Sequence, residues 1–169
     1  MKCEEIMISE LLWCVPTDTV ETAAKMMKTA NIDVVPVCEG RQNERPVGIV
    51  TDHEIVLRVV ADGLDATKMT LEAVMTREPV TCYGEDDLDT ALDAMERNQV
   101  QRILVVGQGG RLAGVLTQAD VLLWTGEPTR IVELIRKAAQ GRRASQSGAK
   151  SKAEESGLPK VRHGGGSFS

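Results

Sequence analysis

The chain has 169 residues, of which 42% are hydrophobic and only 2% aromatic, and its formal net charge is −5. This length suits one compact domain, or two small subdomains that share a core, with a tail. So few aromatic rings argue against a platform for single-stranded nucleic acid, and the acidic charge argues against general binding to DNA or to anionic membranes.

An internal repeat organises the sequence. At an offset of 68, residues 6–38 align with residues 74–106 without a gap, and beyond a loop that is longer in the first copy the offset drops to 66. Identical pairs include Met7/Met75, Cys14/Cys82, Val37/Val105, Gly48/Gly114 and Thr51/Thr117. The chain therefore contains two copies of one structural unit.

The first copy predicts the order strand, helix, strand, strand, helix. An apolar first strand, Leu11–Val15, leads to a helix whose start has the capping-box spacing at Asp18 and Glu21. Apolar residues at helical spacing follow, and the helix ends near Asn31, a residue suited to a left-handed exit. The next elements are strands at Val34–Cys38 and Pro46–Val50 and a helix from Thr51.

The second copy repeats this order after a linker at 61–68 and a short helix at Met69–Met75. Its elements are a strand at Val80–Tyr83, a helix whose start imitates the capping-box spacing at Asp86 and Asp89 and which ends near Asn98, strands at Ile103–Val106 and Leu112–Leu116, and a helix from Thr117. The unbroken apolar runs predict sheets covered by helices. A C-terminal helix is expected at 127–140, and the basic, Gly- and Ser-rich residues 141–169 are expected to be disordered.

Four cysteines, Cys3, Cys14, Cys38 and Cys82, lack the spacing of a zinc site, so no metal is expected. Neither a signal-peptide pattern nor an apolar run of about 18 residues is present, so we expect a cytoplasmic chain with reduced thiols and no membrane partner. Cys14 and Cys38 could be neighbours in the fold. They are then either small buried hydrophobes, a disulfide or metal ligands.

Particular motifs carry a family resemblance: Val74-Met75-Thr76, Pro79-Val80-Thr81, Gln101–Val106 and Gly114–Asp120 in the second copy, and Asp33–Val37 and Gly48–Ile55 in the first. The doubled unit resembles the CBS (cystathionine β-synthase) domain. The resemblance implies an α/β (α+β) fold in which repeats at 5–62 and 69–125 pack as a pseudo-twofold pair, a Bateman module. It also implies a homodimer, and inter-repeat clefts that bind adenosine nucleotides such as AMP, ADP or ATP.

The ligand pattern of that family is a Thr-x-x-Asp motif at the strand-to-helix junction. The resemblance assigns the Asp120 carboxylate to the ribose hydroxyls, and assigns the Thr117 hydroxyl and nearby N–H groups to a phosphate. The same spacing describes a helix cap that needs no ligand. Because Glu is the usual partner in a capping box, Thr51 and Glu54 fit the cap better, and the Thr117 junction is favoured as the site.

Further site residues rest on the resemblance. Arg102 holds the position at which family members often place a basic residue for phosphate, whereas the first copy has Val34 there. A surface ion pair is the alternative for Arg102. Val80, Thr81 and Cys82 are expected to line the adenine pocket, although core packing explains them equally well.

Catalysis is not expected. With only His53 and His163 in the chain, no set of nucleophile, base and orienting residue can be assembled. The leading hypothesis is a non-enzymatic regulatory module that senses an adenosine nucleotide, requires no cofactor and passes its state to an unknown partner protein. The alternative is a structural or interaction protein with empty clefts that acts through dimerisation and the 127–140 helix. A third hypothesis confines nucleic-acid binding to the basic tail.

Overall fold

The described residues form two small three-stranded sheets with helices packed against them, which confirms the α+β class. The elements in chain order are α1 (Val20–Ala30), β1 (Val34–Gly40), β2 (Asn43–Thr51), α2 (Asp52–Ile55) with a π-helical continuation (Val56–Val60), α3 (Leu71–Val74), β3 (Thr76–Arg77), β4 (Thr81–Tyr83), α4 (Leu88–Asn98), β5 (Arg102–Val106), β6 (Leu112–Thr117) and α5 (Gln118–Thr125). Two 3₁₀ turns, Cys3–Glu5 and Gln108–Gly110, complete the set.

The computed structural model describes residues 1–126 together with Val132, Glu133 and Arg136. The helix predicted at 127–140 and the tail at 141–169 therefore lie outside the described residues, apart from those three positions. Both repeats belong to one unit, Met1–Glu127. Among the described helices, none has the length and apolar character required to span a bilayer.

The two repeats exchange their leading segments. In the first sheet β2 pairs antiparallel with β1 and also with β3 of the second repeat, where Thr76 lies opposite Ile49. In the second sheet β5 pairs with β4 and β6, and Ile8 of the first repeat bridges to Val115 in β6. The sequence repeat makes these two cross-repeat pairs equivalent, so the halves are related by pseudo-twofold symmetry.

Glycine is required where each leading segment crosses the other sheet. A Cβ atom at Gly114 would lie 2.5 Å from the Sδ atom of Met7, and one at Gly48 would lie 2.5 Å from the Sδ atom of Met75. Both distances are far inside van der Waals contact. The identical Gly and Met pairs of the two copies therefore have one structural cause, which is the exchanged segment.

The predicted capping boxes of the two long helices are wrong: the N-cap residues are Thr19 and Asp87, one position later, and the Asp87 side chain makes no capping hydrogen bond. Thr19 caps α1 by accepting the N–H three residues on, at 3.2 Å. Asp18 instead accepts the N–H of Val15 at 2.9 Å, and Asp86 accepts the N–H of Tyr83 at 2.8 Å. Each acid thus closes the turn before its helix rather than capping the helix itself.

The first strand of the unit is a strand only in the second repeat. There the N–H of Leu104 donates to the carbonyl oxygen of Val80 at 3.0 Å, which helps to hold β4 against β5. The equivalent residue in the first repeat is Pro36, which has no N–H to donate. Cys14 therefore makes a single bridge to β1, and the strand predicted at 11–15 is reduced to that bridge.

Helix faces and exits follow the sequence closely. Asn31 ends α1 with φ 53°, as predicted, and Gln99 ends α4 with φ 55°, one residue after the predicted Asn98. The buried faces of the two helices are Val20, Ala23 and Met27, and Leu88, Ala91, Leu92 and Met95. Aliphatic and methionine side chains therefore fill the core, as expected of a chain with so few aromatic residues.

Candidate ligand-binding cleft

Both strand-to-helix junctions are complete capping boxes. The N–H of Thr51 donates to Glu54 Oε2 at 2.8 Å, and Thr51 Oγ1 accepts the N–H of Glu54 at 3.3 Å. At the second junction the N–H and O–H of Thr117 donate to Asp120 Oδ2 at 2.9 and 2.6 Å, and Thr117 Oγ1 accepts the N–H of Asp120 at 3.1 Å. The expected difference in capping between the two junctions is therefore absent.

The second oxygen of each carboxylate separates the two junctions. Glu54 Oε1 accepts the hydroxyl of Thr76, which reaches it from the exchanged segment of the other repeat. The residue equivalent to Thr76 is Ile8, which has no hydroxyl. Asp120 Oδ1 consequently has no hydrogen-bond partner within the part of the chain that the structure describes, and it is available to a ligand.

A cavity of about 660 Å³ lies between the repeats. Thr117 and Val115 contribute from the second repeat, and the remaining lining residues come from the first. Its floor is apolar and buried, and its rim includes exposed acidic residues. The lining residues are Ile8, Glu10, Leu11, Leu12, Ala30, Asn31, Ile32, Asp33, Val34, Pro36, Asp52, Val115 and Thr117.

Of the predicted site residues, Thr117 is the one found among the described residues that line this cavity. The predicted adenine-pocket residues Val80, Thr81 and Cys82 do not line this cavity. Leu11 and Leu12 occupy that side of the cavity instead, and Leu12 is the first-repeat equivalent of Val80. The exchange of leading segments explains this, because it sets each junction against the other repeat. No sequence signal marked the exchange, so Leu11 and Leu12 were missed.

Arg102 forms an ion pair with Asp33, as the alternative to a phosphate-binding role predicts. Its Nη2 atom lies 2.7 Å from Asp33 Oδ2 in the first repeat, and the Arg102 side chain is 22% exposed. The second guanidinium nitrogen, Nη1, is buried and lacks a hydrogen-bond partner among the described residues. Val34, the equivalent of Arg102, lines the cavity. The guanidinium thus ties the two repeats together beside the cleft.

All four cysteines are buried free thiols. The N–H of Cys38 donates to the carbonyl oxygen of Cys14 at 2.9 Å, so these two residues are neighbours, as the sequence suggested. Burial raises the pKa of the Cys14 thiol to about 11 and that of the Cys38 thiol to about 12. Within the described ranges no group of three or more His, Cys, Asp or Glu side chains could hold a metal ion. Both thiols act as small hydrophobic side chains in this structure.

Cys82 makes an internal contact of its own. Its thiol interacts with that of Cys3 in the exchanged segment, and this interaction raises the pKa of Cys82. Cys82 is 5% exposed, and the strand Thr81–Tyr83 is paired to β5. In the other half of the fold, Leu71 and Cys14 hold the equivalent positions. This residue therefore has a packing role that requires no ligand.

Comparison with known proteins gives a consistent result. The family model described as "CBS domain" matches residues 3–61 and 71–126. The "Uncharacterized protein YlbB" of Bacillus subtilis is 34% identical over 122 residues, which are 72% of this chain and 80% of that protein. The inosine-5'-monophosphate dehydrogenase of Methanocaldococcus jannaschii is 32% identical over 122 residues, which are 72% of this chain but only 23% of the dehydrogenase.

A solved structure shares the fold. The CBS domain protein PAE2072 from Pyrobaculum aerophilum, complexed with AMP, superposes with a TM-score of 0.67 at 25% sequence identity. The superposition covers 80% of this chain and 99% of that one. The match therefore extends over a whole protein that, like the described residues here, contains a pair of repeats.

Proposed function

The chain belongs to the CBS domain family, and we propose that it is a non-enzymatic regulatory module that binds an adenosine-containing ligand in the cleft beside Thr117. The observation that carries this proposal is the free Oδ1 atom of Asp120, whose Oδ2 atom is hydrogen-bonded to Thr117 in the lining of a cavity of about 660 Å³. Ligand cavities commonly measure a few hundred to about 1,000 Å³ and place a few polar groups among apolar walls. This cleft fits that description.

Each part of an adenosine finds a matching surface. The charged Oδ1 of Asp120 would accept a hydrogen bond from a ribose hydroxyl, and hydrogen bonds to charged acceptors are the stronger ones. The buried Val34, Pro36 and Val115 would contact the adenine faces. Binding of AMP by PAE2072 supports an adenosine ligand for this fold. The family resemblance predicts the narrower class of AMP, ADP or ATP.

Regulation rather than catalysis suits the residues at the cleft. Thr117 and Asp120 hydrogen-bond each other in a helix cap, so the carboxylate that accepts the Thr117 hydroxyl holds the start of the helix. The similarity to the dehydrogenase spans 23% of that enzyme, so its activity is not transferred to this chain. A ligand bound between the two repeats would shift the population of the protein towards the conformation that binds it more tightly. An unidentified partner protein would read that shift.

We propose that the signal is carried by a homodimer, in which a second copy of this chain covers exposed apolar side chains of two helices. Leu57 and Leu123 occupy equivalent positions in the two repeats, and they are 53% and 82% exposed to solvent. Val56 and Val60 beside Leu57, and Trp124 beside Leu123, are also exposed. Large apolar side chains clustered at two symmetry-related helices are typical of an association surface. A Leu57→Glu/Leu123→Glu variant should sediment as a monomer.

Calorimetric titration of the full chain with adenosine, AMP and ATP tests the proposed ligand. Asp120→Ala should weaken binding by about 10-fold or more, since it removes a charged hydrogen-bond acceptor. Glu54→Ala is the matched control, because it removes the same capping contact at the first junction, where both carboxylate oxygens are already occupied. Absence of heat with every adenosine ligand at millimolar concentration would instead favour the structural or interaction protein.

A further inference from the structure

The rim of the cleft beside Thr117 is acidic. Three carboxylates, those of Glu10, Asp33 and Asp52, line it, and neither Lys nor Arg occurs among the described lining residues. Arg102 does not line the cavity, but its ion pair with Asp33 at 2.7 Å offsets one of these charges. The other two carboxylates have no basic partner in the described part of the chain. A ligand in the cleft therefore meets an excess of negative charge.

The acidity is specific to this half of the fold. Under the repeat, the residues that match the cleft lining contain one acid, Glu78, and one base, Arg102. The lining itself contains three acids and no base among its described residues. The differences are Asp33 against Gln101, Asp52 against Gln118 and Val34 against Arg102. Each of these three differences makes the cleft beside Thr117 the more negative one.

The hydrogen-bond donors of Thr117 and the N–H of Asp120 are already engaged. The N–H and O–H of Thr117 both donate to Asp120 Oδ2, and the N–H of Asp120 donates back to Thr117. A phosphate at this helix start would have to displace the capping carboxylate and would lie beside its negative charge. The Nη2 atom of Arg102 is likewise held by Asp33. Its Nη1 atom has no hydrogen-bond partner among the described residues, but it is buried, and Arg102 does not line the cavity. The cleft offers a phosphate few free donors.

We propose, taking the proposed function as premise, that this cleft selects adenosine ligands whose 5′ substituent is uncharged or cationic over adenosine 5′-phosphates. A phosphate monoester carries a charge near −2 at neutral pH and is repelled by the acidic rim. A cationic substituent is attracted by the same carboxylates. The ribose and adenine contacts are the same in all these ligands, so the 5′ charge decides between them.

Three probes that differ at one position test the selection: 5′-amino-5′-deoxyadenosine, adenosine and AMP, titrated calorimetrically into the full chain at low ionic strength. The expected affinities decrease in that order, with AMP weaker than adenosine by about 10-fold. Added salt should narrow the differences, because it screens exposed charges. A Leu12→Trp variant, which fills the cavity from a position that is 45% exposed, assigns each binding event to this cleft.

Charge variants give the sharper test. Asp52→Gln copies the equivalent Gln118 and should raise the affinity for AMP relative to that for adenosine several-fold. Glu78→Gln removes one acid from the equivalent position to Glu10, outside this cleft, and should change neither. AMP binding that exceeds adenosine binding and is lost in Leu12→Trp would overturn this inference and leave the proposed function standing. Failure of all three probes to bind would overturn both.

Discussion

The hydroxyl of Thr76 donates to Glu54 Oε1 across the boundary between the repeats, so both oxygens of that carboxylate accept a hydrogen bond. Ile8 occupies the equivalent position against the second repeat and has no such donor. One side-chain difference in an exchanged segment therefore separates a closed junction from an open one. The proposed site therefore depends on Ile8, which lies 112 positions before Asp120 in the sequence.

Ile8→Thr should close the open junction. A hydroxyl at position 8 would donate to Asp120 Oδ1 as Thr76 does to Glu54, and a ribose hydroxyl would then have to compete with it. We expect adenosine affinity to fall by about 10-fold, which corresponds to one hydrogen bond with a charged acceptor. Calorimetric titration measures this, and Ile8→Val serves as the control without a hydroxyl. Equal adenosine affinity in Ile8→Thr and Ile8→Val would contradict the prediction.

Local patterns in the sequence predicted much of the fold. Apolar spacing placed α1 and α4, and Thr51 and Thr117 marked the helix starts after β2 and β6. Local patterns could not reveal the exchange of leading segments, because the pairing of Ile8 with Val115 is a long-range contact. The site prediction was limited for the same reason: it grouped residues of one repeat, whereas the cavity joins Thr117 to the other repeat.

Gly114→Ala should destabilise the fold by about 1–3 kcal/mol, the usual cost of overpacking. Its Cβ would meet Met7 Sδ at 2.5 Å and the carbonyl oxygen of Ile8 at 3.0 Å. Gly40→Ala is the control, since no atom lies within 4 Å of a Cβ there. Urea denaturation measures both. Equal midpoints for the two variants would show that the exchanged segment can move away from the sheet at little cost.

The Arg102–Asp33 ion pair should couple the repeats weakly. Asp33 is 57% exposed, so solvent and salt screen the interaction, and a double-mutant cycle with Arg102→Met and Asp33→Asn should give a coupling of about 0.5–1 kcal/mol. The coupling should shrink in high salt. The free energy of unfolding in urea measures each corner of the cycle. A coupling of zero at low salt would mean that the 2.7 Å contact does not persist in solution.

Stability should decline in alkaline solution through the buried thiols. Burial raises the pKa values of Cys14 and Cys38 from 9.0 to about 11 and about 12, so the folded chain keeps protons that the unfolded chain loses. The free energy of unfolding should be steady below about pH 9 and should then fall by about 1 kcal/mol per pH unit for each thiol. Urea denaturation under reducing conditions measures this slope. Cys38→Ala should remove one thiol's share of it, and an unchanged slope in that variant would contradict the assignment.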